Sequence, residues 1–236
     1  MANRIADISL RKAAIVAGFG LLLMMVFALF ANYFVLESLI VPGDAATTAN
    51  NIMADESLFR IGICSFIIVI ILDVVVAWAL YVFLKQVNKS LSLLTAWFRL
   101  GYAIMFGIAL ANLFSVLPLL SGADYLTVFE TDQLHAQVML FINAFNYGSN
   151  IAYVFLSLHL FILGYLVFKS GYSGYILRIL GVLLIIASFG YLIDNFGKLL
   201  LPDYDTNIAM FTFIGEVLFM LWLLWRGAKG FDKKTT

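Results

Sequence analysis

Cysteine, histidine and charged residues are scarce in this sequence, and each scarcity excludes a class of protein. The one cysteine, Cys64, cannot form an intrachain disulfide and leaves no cysteine pair for a zinc or redox site. With two histidines and no clustered ligand spacing, we expect no metal site and no cofactor. Charged residues make up 12% of the chain, about half of what a soluble domain carries. A formal net charge of zero gives no reason to expect a nucleic-acid partner.

Long apolar runs take up most of the chain. Hydrophobic residues make up 64% of it and the mean hydropathy is +1.02, which is more apolar surface than a water-soluble fold of this size can bury. A helix needs roughly 20 apolar residues to cross a bilayer. Six stretches meet that length: Ala13–Leu36, Leu58–Leu84, Leu91–Leu119, Asn146–Phe168, Tyr175–Phe196 and Ile208–Trp225. Because these runs are unbroken, we predict an all-α transmembrane bundle in lipid, with residues 1–236 as one domain.

The basic residues indicate how the bundle is oriented. The first apolar run is far longer than the core of a signal peptide, roughly 7–15 residues, so we expect it to be retained as a span. With six spans, one side of the membrane holds Arg4, Arg11, Lys12, Lys85, Lys89, Lys169, Arg178, Arg226, Lys229, Lys233 and Lys234. The other side holds only Arg60 and Lys198, together with most of the acidic residues. The positive-inside rule therefore predicts that both termini are cytoplasmic.

Two segments outside the predicted spans have local signals of their own. Asp44 follows a Pro-Gly pair and suits the N-cap of a short helix over Ala45–Ile52. The uncharged stretch 134–145 precedes the fourth span. It either extends that helix outward, lies in the membrane interface or dips back into the bilayer, with Gly148 as a natural bend.

Four ionisable residues are predicted to lie deep in the bilayer, on four different spans. They are Asp73, Arg99, His159 and Glu216. Counting helix rise from the nearest basic residue at a span end places each of them roughly 15–18 Å from that edge. An ionised side chain at that depth costs at least ~2.5–3.5 kcal/mol, so each needs a partner or a hydrated cavity. We therefore expect one shared cluster, with Arg99 paired to Asp73 or Glu216.

Two interpretations of this cluster remain open. One is a proton relay or a polar ligand pocket, because histidine titrates near neutral pH. The other is a salt-bridge network that fixes the register of the helices. For His159 alone, an interior histidine whose hydrogen bonds are satisfied is a better interpretation than a metal ligand.

A second polar group is predicted in the outer half of the bundle. Tyr191, Asp194, Asn195 and Lys198 share one face of the fifth span, with Asp194 and Lys198 at i,i+4 spacing. Asn146 and Asn150 lie on a face of the fourth span, and Arg60 opens the second. These residues form either an outward-facing vestibule or a set of interfacial side chains that bond to headgroups and loops.

Several strings that place polar residues among apolar ones resemble a known family. They are LRKAAIVAGFG, GDAATTANNI, LFRIGI, FRLGYA and LHLFILGYLVFKSG followed by LGVLLIIASFGYLIDNF. Together they resemble a bacterial family of multi-pass membrane proteins described as a domain of unknown function, over about Ser9 to Trp225. The matching positions are Gly43, Asp44, Arg60, Arg99, His159, Gly164, Tyr165, Tyr191 and Asp194. The resemblance implies a multi-pass protein of the bacterial inner membrane and carries no established activity.

Three functional hypotheses follow. The first is a small membrane protein that binds or moves a small solute, with proton coupling as an option. The second is an intramembrane enzyme that acts on a lipophilic substrate through Asp73, His159 and Glu216, although no catalytic motif favours it. The third is a structural subunit whose buried charges only specify the fold. A hydrated path from the outer vestibule to the buried cluster favours the first hypothesis, and convergence of two carboxyls and the histidine on an empty point favours the second.

Overall fold

Seven helices, six of them long enough to cross a membrane, make up the fold. The computed structural model describes residues 8–171, 174–201 and 203–230, and these contain no strand. The helices are α1 (Leu10–Leu39), α2 (Ala45–Ala54), α3 (Glu56–Leu84), α4 (Lys89–Leu119), α5 (Thr131–Lys169), α6 (Tyr175–Leu200) and α7 (Ala209–Lys229). All except α2 are long and apolar enough to span a bilayer. The prediction of an all-α bundle with six spans is confirmed.

The six long helices form a closed ring. Each packs against its neighbours in sequence, and α1 also packs against α7. The closure is tight because glycine lets the backbones approach: a Cβ built on Gly18 would lie 2.9 Å from the side chain of Leu224. Arg11 adds polar contacts, since its Nε donates to the carbonyl of Gly227 at 2.9 Å and an Nη donates to that of Ala228 at 3.0 Å. The two ends of the described chain are therefore held together.

Successive spans alternate in direction, so the short connections separate into two sets. One end of the bundle carries Arg11, Lys12, Lys85, Lys89, Lys169, Arg178, Arg226 and Lys229 and is called the basic end here. The opposite, acidic end carries the connections that contain Asp44, Asp55, Asp124 and Glu130. Arg4, Lys233 and Lys234 lie outside the described residues. The cytoplasmic location of the basic end stays a prediction.

The short helix α2 begins as the sequence predicts and ends slightly later, at Ala54. Asp44 accepts hydrogen bonds from the backbone N–H of Thr47 at 2.9 Å and from the Thr47 hydroxyl at 2.7 Å. These two bonds, in that order, lower the pKa of the exposed Asp44 carboxyl below its ordinary value of 3.8. Asn51 donates to the carbonyl of Leu39 at 3.2 Å, which ties α2 to the end of α1.

The segment 134–145 belongs to the uninterrupted helix α5, so the first of its three alternatives is confirmed. Gly148 does not end the helix. It allows α5 to approach α4, because a Cβ there would lie 2.7 Å from the Cβ of Ala109. The closest backbone approach in the ring is between Gly164 of α5 and Gly181 of α6, where a Cβ on either residue would lie 2.6 Å from the carbonyl oxygen of the other.

Candidate ligand-binding site

Arg99 is the centre of a buried polar cluster that joins three helices. An Nη of Arg99, on α4, lies 2.8 Å from Oδ1 of Asp73, on α3. The Asp73 side chain is 0% exposed and that of Arg99 is 4% exposed, so this ion pair is removed from solvent. The same Nη lies 3.6 Å from the sulfur of Met24, on α1. The expectation that Arg99 pairs with a carboxylate is confirmed, and Asp73 is the partner.

The surroundings of His159 fix its charge and tautomer. Its Nε2 lies 3.1 Å from the other Nη of Arg99, and arginine can only donate. Nε2 must therefore be an unprotonated acceptor, which leaves the ring proton on Nδ1. Nδ1 is 2.9 Å from the carbonyl oxygen of Thr95 and donates to it. His159 is thus a neutral side chain with both nitrogens in use, and it could accept a second proton only by losing its contact with Arg99.

Glu216 lies apart from this cluster. It is half-buried near the start of α7, and it forms no ion pair within the described parts of the chain. Its Oε1 is shielded from solvent and has no hydrogen-bond partner there. Tyr191, Arg99 and Asp73 are near enough to act on the Glu216 carboxyl electrostatically. Three of the four predicted residues therefore make direct contact, and the fourth faces them from another helix.

A cavity of about 200 Å³ lies between Arg99 and Glu216, and every helix of the ring contributes to its wall. The wall is mostly apolar, with one guanidinium, one carboxyl and three phenols. Its residues are Leu21, Met24, Met25 and Ala28 of α1, Val69 of α3, Arg99 and Tyr102 of α4, Tyr153 and Leu156 of α5, Tyr191 of α6, and Phe213, Glu216, Val217 and Met220 of α7. We call this space the central cavity. Asp73 and His159 are behind Arg99 and are not among the lining residues.

A second, more polar cavity of about 320 Å³ contains part of the predicted vestibule. Its wall is formed by Asn32, Phe106, Phe145, Asn146, Ser149, Asn150, Tyr153 and Lys198. We call it the polar cavity. Tyr153 lines both cavities, so its side chain contributes to the two walls. Its ring packs against those of Tyr102 and Tyr191, with centroids 5.7 Å and 5.9 Å away.

The other residues predicted for the vestibule, Tyr191, Asp194, Asn195 and Arg60, are not among those that line the polar cavity. Tyr191 lines the central cavity instead. Asp194 accepts from the Tyr204 hydroxyl at 2.8 Å and from the Ala209 backbone N–H at 2.6 Å, so it holds the beginning of α7.

Asn195, Lys198 and Arg60 each bond to a nearby part of the chain. Asn195 donates to the carbonyl of Tyr191 within its own helix at 2.7 Å. Lys198 donates to Asn207 at 3.2 Å instead of pairing with Asp194. Arg60 forms an exposed ion pair with Glu56 of its own helix. The contacts of Asp194 and Lys198 with Tyr204 and Asn207 agree with the second interpretation, in which these side chains bond to loops.

Sequence reasoning missed two features of the site. Tyr153 follows Asn146 and Asn150 at i+7 and i+3, so the helical face that identified the asparagines also contains it. The second feature is a π-helical segment of α1, Phe30–Leu36. Such segments are frequent at functional sites, and this one contains Asn32 of the polar cavity. The side-chain amide of Asn32 donates to the Ala28 carbonyl one turn earlier at 2.9 Å.

Comparison with known proteins places the chain in a family. A 167-residue stretch is 38% identical to an uncharacterized protein of Archaeoglobus fulgidus, and it covers 71% of this chain and 84% of that protein. No solved structure matches the chain. Residues 16–227, which include every residue of both cavity walls, match the model of one family. The chain therefore belongs to the family described as "Domain of unknown function (DUF4386)".

Proposed function

We propose that this protein binds a small solute inside the membrane, in the central cavity, and lets it pass to the polar cavity. The observation that carries the proposal is the composition of the cavity wall: all six spans contribute to one space that holds an arginine and a glutamate among apolar and aromatic side chains. Pockets with a few converging polar groups in a mostly apolar wall are typical of small-molecule sites. Ionisable residues inside a membrane domain are costly and mark solute or ion pathways.

The shared tyrosine supports a route between the two cavities. A rotation of the Tyr153 ring would join a space rich in asparagine to the space that contains Glu216. This is the connection between vestibule and buried residues that the transport hypothesis requires.

The other two hypotheses have less support. An enzyme that used Asp73, His159 and Glu216 would need the three groups to converge on substrate. Instead, Asp73 and His159 are both bonded to Arg99, and Glu216 lies in the wall of a separate space. A purely structural role explains the Arg99 cluster well. It does not explain why Glu216, which has no ion-pair partner among the described residues, lines a cavity.

We also infer that the basic end faces the cytoplasm of a bacterial cell, with the protein in the plasma membrane. The support is the excess of lysine and arginine in the connections at that end. Single cysteines at Asp44 and at Lys85, in a Cys64→Ser background, test it in intact cells. An impermeant thiol reagent should label the first position and spare the second, and the reverse pattern would invert the orientation.

The cavity itself can be tested with two adjacent residues of α7. Val217 lines the central cavity, whereas Leu218 is 40% exposed on the outside of the bundle. In the Cys64→Ser background, reconstituted in lipid, we expect a small water-soluble methanethiosulfonate to label Val217→Cys and not Leu218→Cys. A thiol surrounded by lipid has no contact with the reagent, and the two positions have nearly the same depth. Failure to label Val217→Cys, in a protein that still folds, would contradict the binding function and favour the structural hypothesis.

A further inference from the structure

The charges around the central cavity do not balance. Arg99 is the only basic side chain in its wall, and its charge is already matched by Asp73 at 2.8 Å. His159 is neutral, because its Nε2 accepts from Arg99. The second carboxyl of the site, Glu216, therefore has no counter-charge among the described residues. An ionised carboxylate in a low-dielectric space needs one.

The other walls around Glu216 offer aromatic and thioether groups instead of a cation. Besides Glu216, the titratable and charged groups in the wall are Arg99 and Tyr102 from α4, Tyr153 from α5 and Tyr191 from α6. Asp73 of α3 acts on Glu216 electrostatically from behind Arg99. On α1, the lining residues Leu21, Met24, Met25 and Ala28 are all uncharged. Aromatic rings attract cations through their faces, and the attraction increases when water is excluded. A carboxylate beside several phenol rings in an apolar pocket is a set of groups that suits a positively charged guest.

We propose that the ligand of the central cavity is a monovalent organic cation, such as a substituted ammonium with an apolar body, and that Glu216 is its counter-ion. This inference rests on the proposed binding function and gives its ligand a chemical class. The apolar part of the cation would contact the methionine side chains and Phe213. The charged part would lie beside Glu216, with the phenol side chains of Tyr153 and Tyr191 in the same wall.

An anionic ligand fits the same space less well. One Nη of Arg99 pairs with Asp73 and the other with His159, so Nε is the one guanidinium nitrogen without a hydrogen-bond partner among the described residues, and an anion would not find two unpartnered nitrogens side by side. It would also meet the negative charge of Glu216.

Because the cation requires an ionised Glu216, a proton competes with it for the same carboxyl. Binding then weakens as the pH falls, and bound cation and bound proton exclude each other.

The test compares three probes of similar size with purified full-length protein in lipid nanodiscs. They are benzyltrimethylammonium, its uncharged carbon analogue neopentylbenzene, and the anion phenylacetate. Equilibrium dialysis against empty nanodiscs corrects for partition into lipid. We expect saturable binding of the cation, and a loss of roughly tenfold or more in affinity with Glu216→Gln. That variant is nearly isosteric and keeps a hydrogen-bonding group beside Tyr191. Glu37→Gln, the same change at an exposed site of α1, is the control and should bind like the parent.

The other outcomes distinguish failure of the cation inference from failure of the proposed binding function. Equal binding of the cation and its carbon analogue, unaffected by Glu216→Gln, would overturn the cation inference and leave the binding function in place. Saturable binding of phenylacetate alone would overturn it in favour of an anion at Arg99. If no probe binds and Val217→Cys is also unreactive, both proposals fail. If no probe binds while Val217→Cys is labelled, the cation inference alone is overturned.

Discussion

The two carboxyl groups in the middle of the bundle have opposite surroundings. Asp73 is completely buried and ion-paired with an arginine, and it reaches neither cavity. Glu216 is half-buried in a cavity wall, and its Oε1 has no hydrogen-bond partner among the described residues. Their predicted depth in the membrane is the same, so depth alone does not separate their roles. The difference supports the proposal that Glu216, and not Asp73, is the carboxyl that meets a ligand.

The largest expected effect comes from breaking the matched pair. Asp73→Asn should lower the free energy of unfolding by about 3–5 kcal/mol, because it leaves the buried charge of Arg99 without a partner. Asp73→Leu combined with Arg99→Met should recover much of that loss, since neither charge then remains. Denaturant titration of the three variants in mixed micelles measures the coupling. A loss below about 1 kcal/mol for Asp73→Asn would mean that Arg99 can pair with Glu216 instead.

A smaller effect is expected at the third member of the cluster. His159→Phe should destabilise the protein by about 1–3 kcal/mol, because it leaves an Nη of Arg99 without its acceptor and removes the additional bond to the Thr95 carbonyl. Because the native His159 is neutral and bonded on both sides, its replacement should not alter the pH dependence of cation binding between pH 6 and 8. Loss of that pH dependence in His159→Phe would contradict the neutral assignment and favour the interpretation of His159 as a proton relay.

Glu216 should behave as the opposite of Asp73. We expect Glu216→Gln to change the free energy of unfolding by about 1 kcal/mol or less, since no ion pair is broken and the amide is nearly isosteric with the carboxyl. The same denaturant titration checks this value. A cost as large as that of Asp73→Asn would show that Glu216 is structural, and the contrast between the two carboxyls would disappear.

The smallest effect is expected at Asp44, an exposed carboxyl that serves as a reference for the two carboxyls inside the bundle. Asp44 has a lowered pKa in the folded protein, so its charged form stabilises the fold above its ordinary pKa. That contribution is lost as the pH falls through the lowered value. Asp44→Asn keeps the N-cap without the charge. The parent should therefore melt at a slightly higher temperature than Asp44→Asn at pH 7, and the difference should shrink below about pH 4. A difference that does not vary with pH would contradict this account of the cap.

Features with a strong one-dimensional signal could be predicted from the sequence. Apolar runs define the six spans because lipid requires them, and Asp44 identified the start of α2 because N-caps depend on the next few residues. The pairing of Arg99 could also be expected, since an isolated charge in hydrocarbon is so costly.

What the sequence did not reveal depends on contacts between distant segments. Helical spacing groups Asp194 with Lys198. In the structure, Asp194 instead bonds to Tyr204 and Lys198 bonds to Asn207, both in the following loop. Which of two acids pairs with Arg99 depends on how the helices are arranged in the ring. The close contact of Gly164 with Gly181 could not be predicted for the same reason. Apolar helices contain many glycines, and the sequence does not show which of them pack against each other.

The contrast between Asp73 and Glu216 can be tested most directly by their reactivity toward a carbodiimide. Diisopropylcarbodiimide is apolar enough to enter the bilayer, and it couples to a protonated carboxyl that it can reach. With protein in lipid nanodiscs, peptide mass spectrometry should find the adduct on Glu216 and none on Asp73, whose oxygens are enclosed beside Arg99. Benzyltrimethylammonium should protect Glu216 from the reagent. Modification of Asp73 with Glu216 spared would contradict the assignment of Glu216 as the carboxyl that is open to ligand.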